Sequence, residues 1–99
     1  MEQKKFQEEL KHGITLVDFN APWCAPCRAQ EPIIKKLTMD YQSKARIIEI
    51  DIDTHNALAT EFRVQSIPTL ILFKDNKEIK RFVGLQTEET IVRNLENLL

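Results

Sequence analysis

Ile14-Thr15-Leu16-Val17-Asp18-Phe19-Asn20 and, after Ala21-Pro22, Trp23-Cys24-Ala25-Pro26-Cys27 together decide the fold of this chain. The first segment is β-rich and nearly continuous in apolar character, as expected of a strand covered on both faces; only Asp18 interrupts it. Beyond the second segment the apolar spacing turns helical. Ile33, Ile34, Leu37 and Tyr41 form a stripe on a helix predicted from Cys24 to about Ser43. Pro26 falls in its first turn, where proline is tolerated, and Pro32 is expected to bend it. The two cysteines therefore stand where a strand hands over to a helix.

Working outward, Arg46 to Ile52 returns to β character, so strand, helix and strand form one crossover unit, expected right-handed with parallel strands. His55 to Phe62 reads as a shorter helix. Thr69 to Lys74 and Glu78 to Val83 flank Asp75-Asn76-Lys77 and predict a hairpin with a short turn. Thr87 is placed to cap a last helix, with Glu88 and Glu89 at the positive end of its dipole and Ile91, Leu95, Leu98 and Leu99 at helical spacing. Before the first strand, Phe6 and Leu10 lie four apart among Lys, Glu and Gln, which predicts a surface helix stopped by Gly13 in a capping role. The order is α-β-α-β-α-β-β-α, an α/β fold with a mixed four-stranded sheet and helices on both faces, expected as a single domain over residues 1–99.

A chain of 99 residues buries about 65 % of its unfolded surface, enough for a core that needs no covalent staple. Cys24 and Cys27 are its only cysteines, and the loop a disulfide between them would close is too short to stabilise the fold much. The net charge is −1 with both signs interspersed, so no basic field exists to hold nucleic acid. Met1 to Leu10 lacks the apolar run of a secretory signal, and no stretch approaches the ~20 apolar residues of a membrane span. A cytoplasmic monomer is expected. His12 and His55 show no paired spacing that would complete a zinc site with the cysteines and are expected as surface residues at element ends.

Chemistry then narrows the cysteines' purpose. A thiol attacks only as thiolate, and an ordinary cysteine, with a pKa near ~8.5, is mostly protonated at neutral pH. Cys24 at the start of a helix faces unpaired N–H groups and the positive end of the macrodipole, both of which favour the anion. Cys27, one turn further on, gains less. Cys24 is therefore expected to attack and Cys27 to resolve. Asp18 admits two readings: a buried carboxyl with a raised pKa that exchanges protons with Cys27, or a strand-end residue pointing to solvent. Ile67-Pro68-Thr69 by itself marks only the start of a strand. Arg28 is expected to solvate its helix.

Val17-Asp18-Phe19, Ala21-Pro22-Trp23-Cys24-Ala25-Pro26-Cys27, Pro32, Asp51-Ile52-Asp53, Ile67-Pro68-Thr69 and Gly84 resemble the thioredoxin family, in order and over nearly the whole chain. The resemblance implies the thioredoxin fold, dithiol–disulfide exchange, and a cis peptide before Pro68. It also implies a substrate groove formed by Trp23, Ala25, Pro26, Ile67, Pro68 and Gly84, in which Ile67 presents its backbone to the substrate chain. No bound cofactor is implied beyond the redox-active Cys24–Cys27 disulfide. The implied partners are oxidised client proteins and a thioredoxin-reductase-like electron donor, in most such systems an NADPH-dependent flavoprotein.

The sequence departs from the family pattern at three places. Ala25 stands where the usual W-C-G-P-C motif has glycine, which predicts a modest change in redox poise. The N-terminal edge strand is expected to be absent, leaving Arg46 to Ile52 as a sheet edge guarded by Glu49 and Asp51. Glu49 also occupies a position that often carries lysine near the buried acid, and Glu31 adds a second carboxylate; a Glu49 facing Asp18 would raise the latter's pKa further. A protein disulfide reductase is the expected function. A thiol oxidase or isomerase of an oxidising compartment is opposed by Pro26 and the absent signal, and a non-catalytic metal- or client-binding module is separable by a metal assay with an activity measurement.

Overall fold

The computed structural model describes residues 2–99. The elements are α1 (Gln3–Leu10), β1 (Ile14–Asn20), α2 (Ala25–Asp40), β2 (Arg46–Asp51), α3 (Asn56–Glu61), β3 (Thr69–Lys74), β4 (Lys77–Val83) and α4 (Glu88–Glu96). One four-stranded sheet has the order β2-β1-β3-β4. β1 pairs parallel with β2 and antiparallel with β3, and β3 pairs antiparallel with β4. The expected mixed sheet and element order are both present.

Period-2 alternation sends the two faces of β1 to separate cores. Leu16 packs with Leu70, Leu72 and Phe82 against Ile34 and Leu37 of α2 and Ile91 and Leu95 of α4. Val17 and Phe19 pack with Ile50, Ile71 and Phe73 against Phe6 and Leu10 of α1 and Leu58 of α3. Phe62 closes this second core, with ring centroids 5.6 Å from Phe6, 6.2 Å from Phe19 and 5.7 Å from Phe73. Being covered on both sides explains why β1 is apolar almost without interruption.

Several boundaries differ from expectation. α2 ends at Asp40 rather than Ser43, and Tyr41 serves as its C-cap, with the N–H donating to Leu37 O. The helix continues through Pro32, which has no N–H to offer the Arg28 carbonyl. β2 stops at Asp51, although Ile52 N still donates to Asn20 O. α3 occupies only Asn56–Glu61, with His55 as N-cap. The hairpin turn holds just Asp75 and Asn76, both at positive φ, so β4 begins at Lys77, in the geometry that matches strand twist. α4 stops at Glu96, and Leu99 is exposed. Thr87 caps α4 as expected, its Oγ1 accepting from Thr90 N at 3.1 Å.

Gly13 does not cap α1, whose C-cap is Lys11 in the right-handed region. Its φ of +77° instead turns the chain onto the hairpin. Gly13 N donates to Asp75 Oδ1 at 2.8 Å, and Asp75 N donates to Gly13 O at 2.9 Å. A glycine after a helix has two possible uses, and spacing alone cannot choose between them.

β2 has no partner on its outer side among the described residues, so it is the sheet edge expected of it. Because Ile52 N bonds inward to Asn20 O, strand alternation turns the main-chain groups of Ile47 and Glu49 outward. Arg46, Glu49 and Asp51 put charge along this edge, which discourages further pairing. Arg46 also ties it to α1, where it meets the Glu9 carboxylate and donates to the main-chain carbonyls of Glu9 and His12.

Candidate active site

Cys24 is the N-cap of α2, in extended conformation, and Ala25 and Pro26 open the helix. A cap residue aims its side chain at the unpaired N–H groups of the first turn. Here the cap atom is sulfur: Cys24 Sγ accepts from Cys27 N at 3.2 Å. Cys24 and Cys27 are joined as a disulfide, with Cα atoms 5.2 Å apart, so one helical turn brings the sulfurs together without displacing the backbone. Ala21, Ile52 and Ile67 pack around the pair.

The segment before β3 approaches from the other side. The Ile67–Pro68 peptide is cis, and Ile67 O lies 3.7 Å from Cys24 Sγ. Pro68 is buried and Ile67 half-buried. Gly84 N donates to Pro68 O at 2.8 Å, which brings the β4–α4 loop to the same rim. Ala25 and Pro26 are exposed beside the disulfide, and Trp23 stands out with 68 % of its surface open. Its indole is anchored all the same, with Nε1 donating to Asp53 Oδ2 at 2.9 Å. The structure thus gathers Trp23, Ala25, Pro26, Ile67, Pro68 and Gly84 around one disulfide.

Asp18 is enclosed, with 1 % of its surface exposed, so the solvent-facing alternative is excluded. Sharing strand parity with Leu16, its side chain faces α2. Asn20 Nδ2 donates to Oδ2 at 3.3 Å, while Oδ1 has no hydrogen-bond partner among the described residues. Burial is the main reason its pKa rises from 3.8 to about 6; the Asn20 hydrogen bond opposes the rise, Glu49 and Glu31 add to it, and Lys35 counters it. Glu49 is directly opposite Asp18 in the β1–β2 register and is held by Lys35 Nζ at 2.8 Å. An open cleft of about 450 Å³ beside the disulfide is lined by Asn20, Ala21, Cys27, Arg28, Glu31 and Glu49.

Asn20, Lys35 and Asp53 were not legible as site residues. Lys35 and Glu49 meet across two elements, and Trp23 and Asp53 across the whole crossover, so no local spacing marks either pair. His12 is exposed, and His55 sits half-buried at the head of α3 with its ring near Thr54 Oγ1 and Asp51 O. Among the described residues no group of three or more His, Cys, Asp or Glu side chains is placed to hold a metal ion. No helix among them is long and apolar enough to cross a membrane.

The family model for thioredoxin matches residues 1–97. The chain belongs to the thioredoxin family. Among curated thioredoxins, that of Staphylococcus saprophyticus is 40 % identical over 94 residues, covering 95 % of this chain and 90 % of that protein. Among solved structures, a mutant thioredoxin from Halobacterium salinarum superposes with a TM-score of 0.89 at 33 % identity, covering 99 % of this chain and 86 % of the other. The oxidised mitochondrial thioredoxin 3 of Saccharomyces cerevisiae gives 0.86 at 28 % identity, covering 96 % and 89 %. As a member of the thioredoxin family the protein is a dithiol–disulfide oxidoreductase, and Cys24–Cys27 is its redox-active pair. The resemblance in its motifs was therefore a sound guide to fold and activity.

Proposed function

We propose that the chain works as a single unit that reduces disulfides in oxidised client proteins, with Cys24 as nucleophile, Cys27 as resolving thiol and Asp18 as proton acceptor. The observation that carries this is the sulfur of Cys24 in the cap position of α2, where Cys27 N–H points at it. In the reduced protein the Cys24 thiolate attacks one sulfur of a client disulfide, and the other client sulfur leaves as a thiolate. Cys27 loses its proton to Asp18 and attacks Cys24 Sγ, which releases the second client sulfur and forms the internal disulfide. Two electrons have passed to the client. The proton's path runs through the cleft that Cys27 and Asn20 line, since the Asn20 amide is bonded to the Asp18 carboxylate.

A client strand lying across the groove would find Trp23, Ala25 and Pro26 on one side and Ile67, Pro68 and Gly84 on the other. Electrons return from a separate thioredoxin-reductase-like donor, and no further bound cofactor is required. The setting we infer is the cytoplasm, with the protein monomeric. Pro26 between the cysteines supports a reductase over an oxidase or isomerase.

Titration of the pair against glutathione tests the direction of transfer. A midpoint more negative than about −220 mV, at the reducing side of the cytosolic pool, is expected. A clearly more oxidising value would favour the oxidase or isomerase instead. The ionisation of Cys24 is checked by its alkylation rate against pH, which should reach half-maximum well below the ordinary ~8.5; a midpoint at that ordinary value would remove Cys24 from its role.

Lys35 supplies a separate prediction. Removing its charge by Lys35→Met leaves Glu49 uncompensated opposite Asp18, so the Asp18 midpoint moves above 6. Glu49→Gln moves it down. The pH profile of client release, followed by stopped flow, should shift in these opposite directions; coincident profiles would detach the pair from the proton step.

A further inference from the structure

The helix that carries the cysteines also carries a buried polar side chain that the exchange chemistry does not use. Gln30 lies one turn beyond Cys27 and is fully enclosed. On the neighbouring buried positions Ile34 and Leu37 place hydrocarbon against the sheet. A primary amide is unfavourable there unless its donor and acceptor are both met. Both are met by a residue 56 positions away: Gln30 Oε1 accepts from Gln86 N at 2.8 Å, and Gln30 Nε2 donates to Gln86 O at 3.1 Å.

Two bonds from one planar group grip the main chain of Gln86 on both sides, so α2 fixes the position and the orientation of the β4–α4 loop. The linkage continues along the loop. Gln86 Nε2 donates to Gly84 O at 3.2 Å, and Gly84 N donates to Pro68 O at 2.8 Å. Ile67, next to Pro68, has its carbonyl 3.7 Å from Cys24 Sγ. These contacts close a ring around the disulfide that runs from α2 through Gln30, Gln86, Gly84 and Pro68 back to Cys24. Gly84 has a φ of +93°, and an added Cβ there would meet nothing within 4 Å, so this wall faces open space. Val83 and Leu85 flank it as exposed apolar side chains.

We propose that Gln30 is a positioning residue for substrate choice: it holds the Gly84–Gln86 wall at a set distance from Cys24, so that disulfides embedded in a polypeptide strand are favoured over small ones. The inference rests on the exchange activity proposed above. A strand must touch the Ile67 side and the Gly84 side together, whereas a small disulfide needs only the sulfur of Cys24.

Gln30→Met keeps length and volume while removing both bonds. With insulin as the protein disulfide, KM is expected to rise about fivefold while kcat stays within about twofold. Reduction of 5,5′-dithiobis(2-nitrobenzoate) and alkylation of Cys24 should match wild type, and hydrogen exchange of the Gln86 amide should accelerate about fivefold or more. Gln86→Ala, which breaks only the link to Gly84 and leaves the core untouched, should raise the insulin KM about twofold by itself and keeps the test decisive if the Met variant does not fold. An unchanged insulin KM in whichever variant folds, or an equal loss with both substrates, would overturn the role of Gln30. Failure of the wild type to reduce either substrate would overturn the exchange activity itself, a result distinct from both.

Discussion

Cys24→Ser is expected to lower insulin reduction by more than about a thousandfold, whereas Cys27→Ser should retain the attack and accumulate covalent mixed disulfides with clients. The asymmetry follows from the cap. Cys24 Sγ receives an N–H of the first turn and borders the Ile67 carbonyl, while Cys27 lies one turn inside the helix. The serine hydroxyl at position 24 would still cap α2, and the disulfide it removes closes a loop too short to stabilise the fold much. Loss of activity would then reflect chemistry and not unfolding, which circular dichroism checks directly. Retained turnover in Cys24→Ser, or the absence of trapped adducts in Cys27→Ser, would reverse the assignment.

Asp18→Asn should do two opposite things. Stability at pH 7.5 should rise by about 3 kcal/mol, because a carboxyl whose pKa climbs from 3.8 to about 6 on folding penalises the folded state when ionised, and one unit corresponds to about 1.4 kcal/mol. The sign fixes the pH window. Between about pH 4 and pH 6 the folded protein holds the proton more tightly than the unfolded chain, so wild-type stability falls as pH rises through that range. Below it no penalty remains and the gain from the substitution should vanish. Denaturant melts at pH 3.5 and pH 7.5 measure the difference. Release of the client, meanwhile, should slow by roughly 10²-fold near neutral pH, the usual size of a positioned base, with the first attack little affected. Equal release rates for the two proteins would leave Asp18 without a part in the reaction.

The elements most legible in the sequence were those whose information is local. Ile14 to Asn20 announced a strand buried on both faces because its residues are apolar without regard to parity, and Thr87 announced a helix start because a hydroxyl two or three residues before free N–H groups has one good use. The Cys pair was legible for the same reason, since spacing of one helical turn needs nothing from the rest of the chain. What stayed hidden depends on contacts between distant segments. Gln30 sits between Ala29 and Glu31 and looks like a solvated helix position until the β4–α4 loop arrives to meet it. Asp18 was undecided because strand periodicity does not reveal which end of a strand is covered; the approach of α2 decides it. Gly13 reads as a helix stop from spacing alone because the partner that decides its use, Asp75, lies in a hairpin turn far along the chain.

The strand order has a bearing on synthesis. β1 emerges early from the ribosome yet occupies an inner place in the sheet, and its antiparallel neighbour, Thr69–Lys74, comes much later in the chain. Until that neighbour appears, a nascent chain can join β1 only to β2 and must leave Leu16, Val17 and Phe19 incompletely covered. Elongation through Lys74 gives β1 its second neighbour, but the face under Leu16 closes only once Phe82, Ile91 and Leu95 have followed, so one core is complete before the other.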